Sequence, residues 1–173
     1  MSDVQKMQKQ TPARAFFRAL SPASWFGRKK EEKASPAPKL DPEFEMRVDN
    51  MYIGAMIGGL IPTSRKYGFG KNGEARKKID IAGVLVLHAK DSFGAMERTS
   101  KASNPALARM YSQYYHNATE NLKDAVKIYS YAAALLADGS ELKRQANEKI
   151  ADCISLAASI DQYHNASSGR REK

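Results

Sequence analysis

Apolar side chains recur along this chain at helical spacing in four stretches separated by turn residues. In the first, Phe44, Val48, Met51, Ala55 and Gly58 step by 4, 3, 4 and 3, which is one face of a 3.6-residue repeat. Asp41 followed by Pro42 supplies a start: a side chain able to cap, then a residue whose missing N–H costs nothing in the first turn. Glu43 and Glu45 come next, where the helix dipole favours anions. Gly58-Gly59 and Pro62 form the stop.

A glycine-rich basic loop over 62–73 leads to the second stretch. There Ile79, Ala82, Val86, Ala89, Phe93 and Met96 predict a helix from about Glu74 to about Ala102. Its centre, Ile81 to Leu87, is apolar on every side and is expected to be the most buried helical segment. Val84 to Leu87 would also suit a buried strand, but length and the continuing period favour helix.

Asn104-Pro105 repeats the cap-then-proline start. Leu107, Tyr111, Tyr114, Ala118, Leu122, Ala125, Tyr129, Ala132 and Leu136 then carry a third helix to about Ala137, the strongest periodic signal in the chain. Asp138-Gly139 stops it, and Ser140 is a ready cap for a fourth helix along Leu142, Ala146, Ile150, Cys153, Ala157, Ile160 and His164. So short a connection predicts an antiparallel hairpin of two helices, each roughly 40 to 50 Å long. The first two helices should cover its apolar face. The expected fold is all-α, about four helices in a bundle, with a helical domain over 41–166 and a polar tail over 167–173.

Residues 1–40 do not fit this scheme. They are expected to form a disordered basic arm ending in a proline-rich linker, Ala34 to Pro38. Charge sharpens the division. The chain of 173 residues carries a net charge of +9. The arm holds nine Lys/Arg against three acids, whereas 41–104 holds ten against eight and 105–173 nine against eight. A cationic arm on a nearly balanced body points to an anionic partner: nucleic acid, a nucleoprotein complex, an acidic protein or anionic lipid. Phe16, Phe17, Trp25 and Phe26 sit in the arm among Arg14, Arg18 and further cations. Such a mixture can stack on single-stranded bases, lie on an anionic membrane, or fold into a protein groove.

Within the body, Arg65, Lys66, Lys71, Arg76, Lys77 and Lys78 surround the glycine-rich loop, with Glu74 the only acid in that stretch. Gly68 to Gly73 matches G-x-G-x-x-G, but a dinucleotide site needs a strand before it and a parallel sheet around it, and neither is predicted. The weaker reading, phosphate or nucleic-acid contact by the loop, survives.

Catalytic signals are thin. Cys153 is the single cysteine, lies on the apolar stripe and reads as a buried thiol. Ser140 in S-x-x-K is already explained as a helix cap, and no companion motif accompanies it. His116 with Glu120 and Asp161 with His164 are isolated polar pairs, fewer ligands than a bundle metal site uses, so neither metal nor cofactor is expected. Tyr115 and Tyr131 fall off the main stripe, and together with the alanine-rich stretch from Tyr131 to Ala137 they point to self-association as a homo-oligomer. The lone cysteine and the absence of a predicted membrane span suit the cytoplasm, although the Arg-rich arm would also serve as a mitochondrial-type presequence. The expectation is therefore a non-enzymatic interaction protein gripping an anionic partner, nucleic acid before others. The alternative is a peripheral-membrane or secretion-associated adaptor anchored by the arm.

Overall fold

The computed structural model describes residues 39–100 and 104–168. The chain divides between Ser35 and Pro36 into two units, and every described residue belongs to the second. The arm residues Arg14, Phe16, Phe17, Arg18, Trp25 and Phe26 lie outside the described residues, as does most of the 167–173 tail. Among the described residues there are four helices and no strand: α1 Pro42–Ile57, α2 Gly70–Ser100, α3 Pro105–Leu135 and α4 Glu141–Ser168. None of these helices is long and apolar enough to cross a membrane.

The caps follow the local chemistry with one exception. Asn104 accepts from the Ala106 N–H at 2.8 Å, and Ser140 accepts from the Lys143 N–H at 3.3 Å. Asp41 makes no side-chain cap bond, contrary to expectation; its backbone carbonyl accepts from Glu45 at 2.8 Å and Pro42 fixes the first turn. α1 ends in a Schellman motif, with Gly59 N–H donating to Met56 O at 3.1 Å and Leu60 N–H to Ala55 O at 2.9 Å. That geometry needs a left-handed residue, and Gly59 has φ 72°.

α3 is the pillar of the unit. Its most extensive interface is with α2, the next with α4, while α2 and α4 touch each other far less. Two-sided packing explains its burial. Beyond the expected stripe of Tyr111, Ala118, Leu122, Ala125, Tyr129 and Ala132, it also buries Val126, Ile128 and Ala133. The buried Thr119 hydroxyl is satisfied within its own helix, donating to the carbonyls of Tyr115 and His116. Tyr115 Oη donates to Asp161 at 2.8 Å, and Tyr111 Oη lies 3.2 Å from His164 Nδ1, so the start of α3 meets the end of α4. The His164 ring stacks on Tyr115 with centroids 4.0 Å apart.

α2 differs from the expectation in two ways. It begins at Gly70, four residues early, and the Gly68 carbonyl lies against Gly73 in its first turn. A Cβ on Gly73 would overlap the Gly68 carbonyl, so that approach requires glycine. Its buried row is Ala75, Lys78, Ile81, Ala82, Leu85, Ala89 and Met96. Val86 is only partly buried and Leu87 is 43% exposed, so the all-round apolar centre is not the most buried segment. α2 is covered on one face only, and the apolar density of the sequence exceeds what its neighbours enclose.

α1 is too short to flank the hairpin along its length. It packs on the first half of α2 and reaches α3 through its Arg47 and Phe44. Arg47 pairs with Asp124 at 2.8 Å, and Lys127 Nζ lies 3.9 Å from the centre of the Phe44 ring. Burial holds the Asp124 carboxyl above its ordinary value despite that guanidinium.

Leu122 is fully buried on the central helix. Leu122→Ala is expected to lower the unfolding free energy by about 2 to 4 kcal/mol in urea titration. A loss below about 0.5 kcal/mol would mean that α3 is not the core of the fold.

Candidate anion-binding surface

The 62–69 segment is fastened to α2 by one carboxylate. Asp80 receives Arg65 Nε at 2.6 Å on one oxygen and Arg65 Nη2 at 3.1 Å on the other. Tyr67 Oη donates to it at 2.7 Å, and the Tyr67 ring meets Tyr52 of α1 edge-on at 6.0 Å. Burial and the Asp80 charge push the Tyr67 phenol well above its usual range.

Two acids of α1 meet the basic start of α2. Lys77 Nζ donates to Asp49 at 3.0 Å and sits 4.4 Å from the centre of the Tyr52 ring. Lys78 is 3% exposed, with its ammonium 3.8 Å from Glu45 and 3.9 Å from Asp49. A lysine this deeply placed needs compensating charge nearby, and the two carboxylates one turn apart on α1 provide it.

The six loop cations therefore separate into two groups. Arg65, Lys77 and Lys78 are held in intramolecular ion pairs, and Lys78 has almost no surface to present to a partner. Lys66, Lys71 and Arg76 are exposed and form no ion pair with a described residue. Glu74 is not the only acid near the loop, because folding adds Asp80, Glu45 and Asp49. Asp80 follows Lys77 at i+3 and was visible in the sequence; the α1 acids, some thirty positions upstream, were not.

Sequence reasoning also passed over Phe69. It lies between Gly68 and Gly70, fully exposed, at the edge of a cleft of about 510 Å³. Lys71 and Asn72 line the cleft from α2, and Ala134, Leu135, Leu136 and Ala137 line it from the end of α3 and the turn beyond. Asn72 and Arg76 are both exposed and fall i, i+4 on α2, one above the other.

Other candidates resolve differently. Tyr115 and Tyr131 are occupied inside the unit, Tyr115 with Asp161 and Tyr131 with Glu74 at 2.8 Å. Cys153 is buried, and desolvation pushes its thiol up to about 11, opposite to what an activated nucleophile needs. His116 is exposed. Among the described residues no group of three or more His, Cys, Asp or Glu could hold a metal ion.

Two predictions follow from these charges and phenols. Asp49→Asn with Glu45→Gln leaves the Lys78 ammonium uncompensated and is expected to cost about 2 to 3 kcal/mol, scaled down from a fully buried pair because both acids are half exposed. Lys78→Met removes charge and need together and should stay within about 1 kcal/mol of the parent in the same urea titration. The reverse order would mean that the α1 acids do not compensate Lys78. The second prediction concerns Tyr67, Tyr115, Tyr129 and Tyr131, all shifted upward mainly by burial, with Tyr131 pushed up to about 12. The native state keeps these protons where the unfolded chain, with phenols near 10, releases them. Stability should thus be full below pH 10 and fall as pH rises towards 12. Alkaline titration followed by tyrosinate absorbance and circular dichroism should show ionisation of these phenols accompanying loss of helix, and Tyr131→Phe should reduce the steepness.

No family model, curated protein or solved structure matches this chain, so its function must be sought in the arrangement of its own residues.

Proposed function

We propose that this protein is a non-enzymatic helical interaction module that holds an anionic partner, nucleic acid in the first instance, at the loop leading into α2. The observation that supports this best is the set of exposed cations Lys66, Lys71 and Arg76 beside the fully exposed ring of Phe69. Cations that serve the fold find carboxylates, as Arg65, Lys77 and Lys78 do. Those left over along one short stretch give the surface a local positive potential that attracts phosphates. The aromatic ring adds a stacking platform, the second component of single-strand binding surfaces. The arm, with Arg14, Arg18 and its four aromatic residues, is assigned a second contact of the same chemistry.

One observation favours a second contact, with a protein surface rather than through the arm. Met46, Ile53 and Ile57 share the face of α1 opposite its buried Phe44, Val48 and Ala55, and Ile57 is 83% exposed. An apolar partner could lie there. The same helix carries Glu43, Glu45 and Asp49, with Asp41 at its cap, which repel an anionic bilayer and leave a protein surface as the better match.

Salt titration tests the first reading. Binding of a single-stranded oligonucleotide should weaken steeply with salt. Replacing Lys66, Lys71 and Arg76 together by Gln should flatten the log–log slope by about 2 units, near 0.7 per phosphate contact. An unchanged slope would assign the contact to other residues.

A further inference from the structure

We infer that the cleft between Phe69 and the end of α3 seats one nucleobase of a single strand, with Phe69 as the stacking wall. This rests on the nucleic-acid reading and specifies how that surface would engage a strand. The cleft, of about 510 Å³, is wide open to solvent, so it suits the face of a flat ring rather than an enclosed ligand. Its composition is divided. Leu135 and Leu136 belong to the apolar cluster that also holds Ala75, Ala132 and Leu142, and they make a fixed floor. Ala134 and Ala137 are small and exposed, so the floor is open to a flat ligand.

Phe69 supplies a wall that nothing in the described fold covers. An exposed phenyl between two glycines adds nothing to the core. The backbone that carries it is held on its N-terminal side, where Tyr67 is pinned to Asp80 and Gly68 packs against Gly73. The ring therefore stands on an anchored backbone at the rim of the cleft.

The polar groups are those a nucleotide would require. The Asn72 amide offers one donor and one acceptor direction for a base edge. The Lys71 ammonium, on the neighbouring residue, offers a charge for the adjoining phosphate. Lys66 and Arg76 continue the positive surface outside the cleft. A saturated lipid chain would use the floor but not the amide. A free inorganic anion would use the lysine but neither the ring nor the floor.

The test uses the full chain. Trp25 is the only tryptophan, so Trp25→Phe with Phe69→Trp places the single indole at the cleft. A twelve-nucleotide single strand should quench that indole, whereas an abasic strand of the same length should bind by charge without quenching it. In the parent chain, Phe69→Ala should weaken the base-bearing strand roughly 5- to 100-fold with the salt slope unchanged. Ala134→Trp, which plugs the cleft from an exposed position and leaves Phe69 in place, should give a similar loss with the helical circular dichroism spectrum intact. If both variants bind the strand within twofold of the parent, the base seat is wrong while the anionic surface stands. If neither strand binds, both readings fall. Quenching by phosphatidylserine vesicles but not by the strand would also overturn the base seat and make the cleft a lipid contact.

Discussion

Burial of α3 from two sides is the constraint on which the rest of the structure depends. A helix that must satisfy α2 along one flank and α4 along the other can expose little of its middle, and its small residues permit this. Ala118, Ala125 and Ala132 are fully buried, and between them Leu122, Ile128 and Tyr129 fill the larger spaces. The polar atoms on this helix are accounted for locally or across to a neighbour, as with Thr119, Tyr115 and Tyr131. Once α3 is fixed, the start of α2 lies near its end, and the cleft beneath Phe69 arises where the two meet.

Charge pairing then determines what that corner of the surface can do. α1 buries Phe44, Val48 and Ala55 and brings Glu45 and Asp49 to the basic start of α2, while Asp80 holds Arg65 and Tyr67. These acids neutralise one set of cations and fix the loop backbone. The positive charge left outward belongs to Lys66, Lys71 and Arg76. The part-exposed pairs Arg65–Asp80 and Lys77–Asp49 contribute little to stability individually, in contrast to the compensation of the buried Lys78. Their larger effect is positional, since they decide which cations remain for a partner. The buried Lys78 marks the boundary between the two roles, lying one residue beyond the half-exposed Lys77.

Much of the fold was legible because its signals are local. Proline after Asn104 or Asp41, glycines after α1, and the steps of α3 and α4 each act within a few residues, and the helices begin or end close to where those signals stand. What the sequence left hidden depends on long-range placement. Val86 and Leu87 carry the same hydrophobicity as Leu85, and only the position of α3 decides that Leu85 is enclosed. The loop cations were visible as a cluster, but not the α1 acids that remove Lys77 and Lys78 from it. Tyr115 and Tyr131 read as surface aromatics because their acceptors, Asp161 and Glu74, are distant in sequence. Phe69 was passed over because the Gly68-to-Gly73 stretch was weighed for its glycines and cations, and only the fold shows this ring uncovered at the edge of a cleft.

We propose that the loop into α2, rather than the apolar face of α1, receives the anionic partner. The most direct measurement is a titration of isotope-labelled full-length protein with a short single-stranded oligonucleotide, followed by amide chemical shifts. Among residues 39–168 the largest shifts are expected on 66–76 and 134–137, while α1 residues Met46 to Ile57 move little. Shifts concentrated on α1 or α4, with 66–76 unmoved, would contradict the proposal.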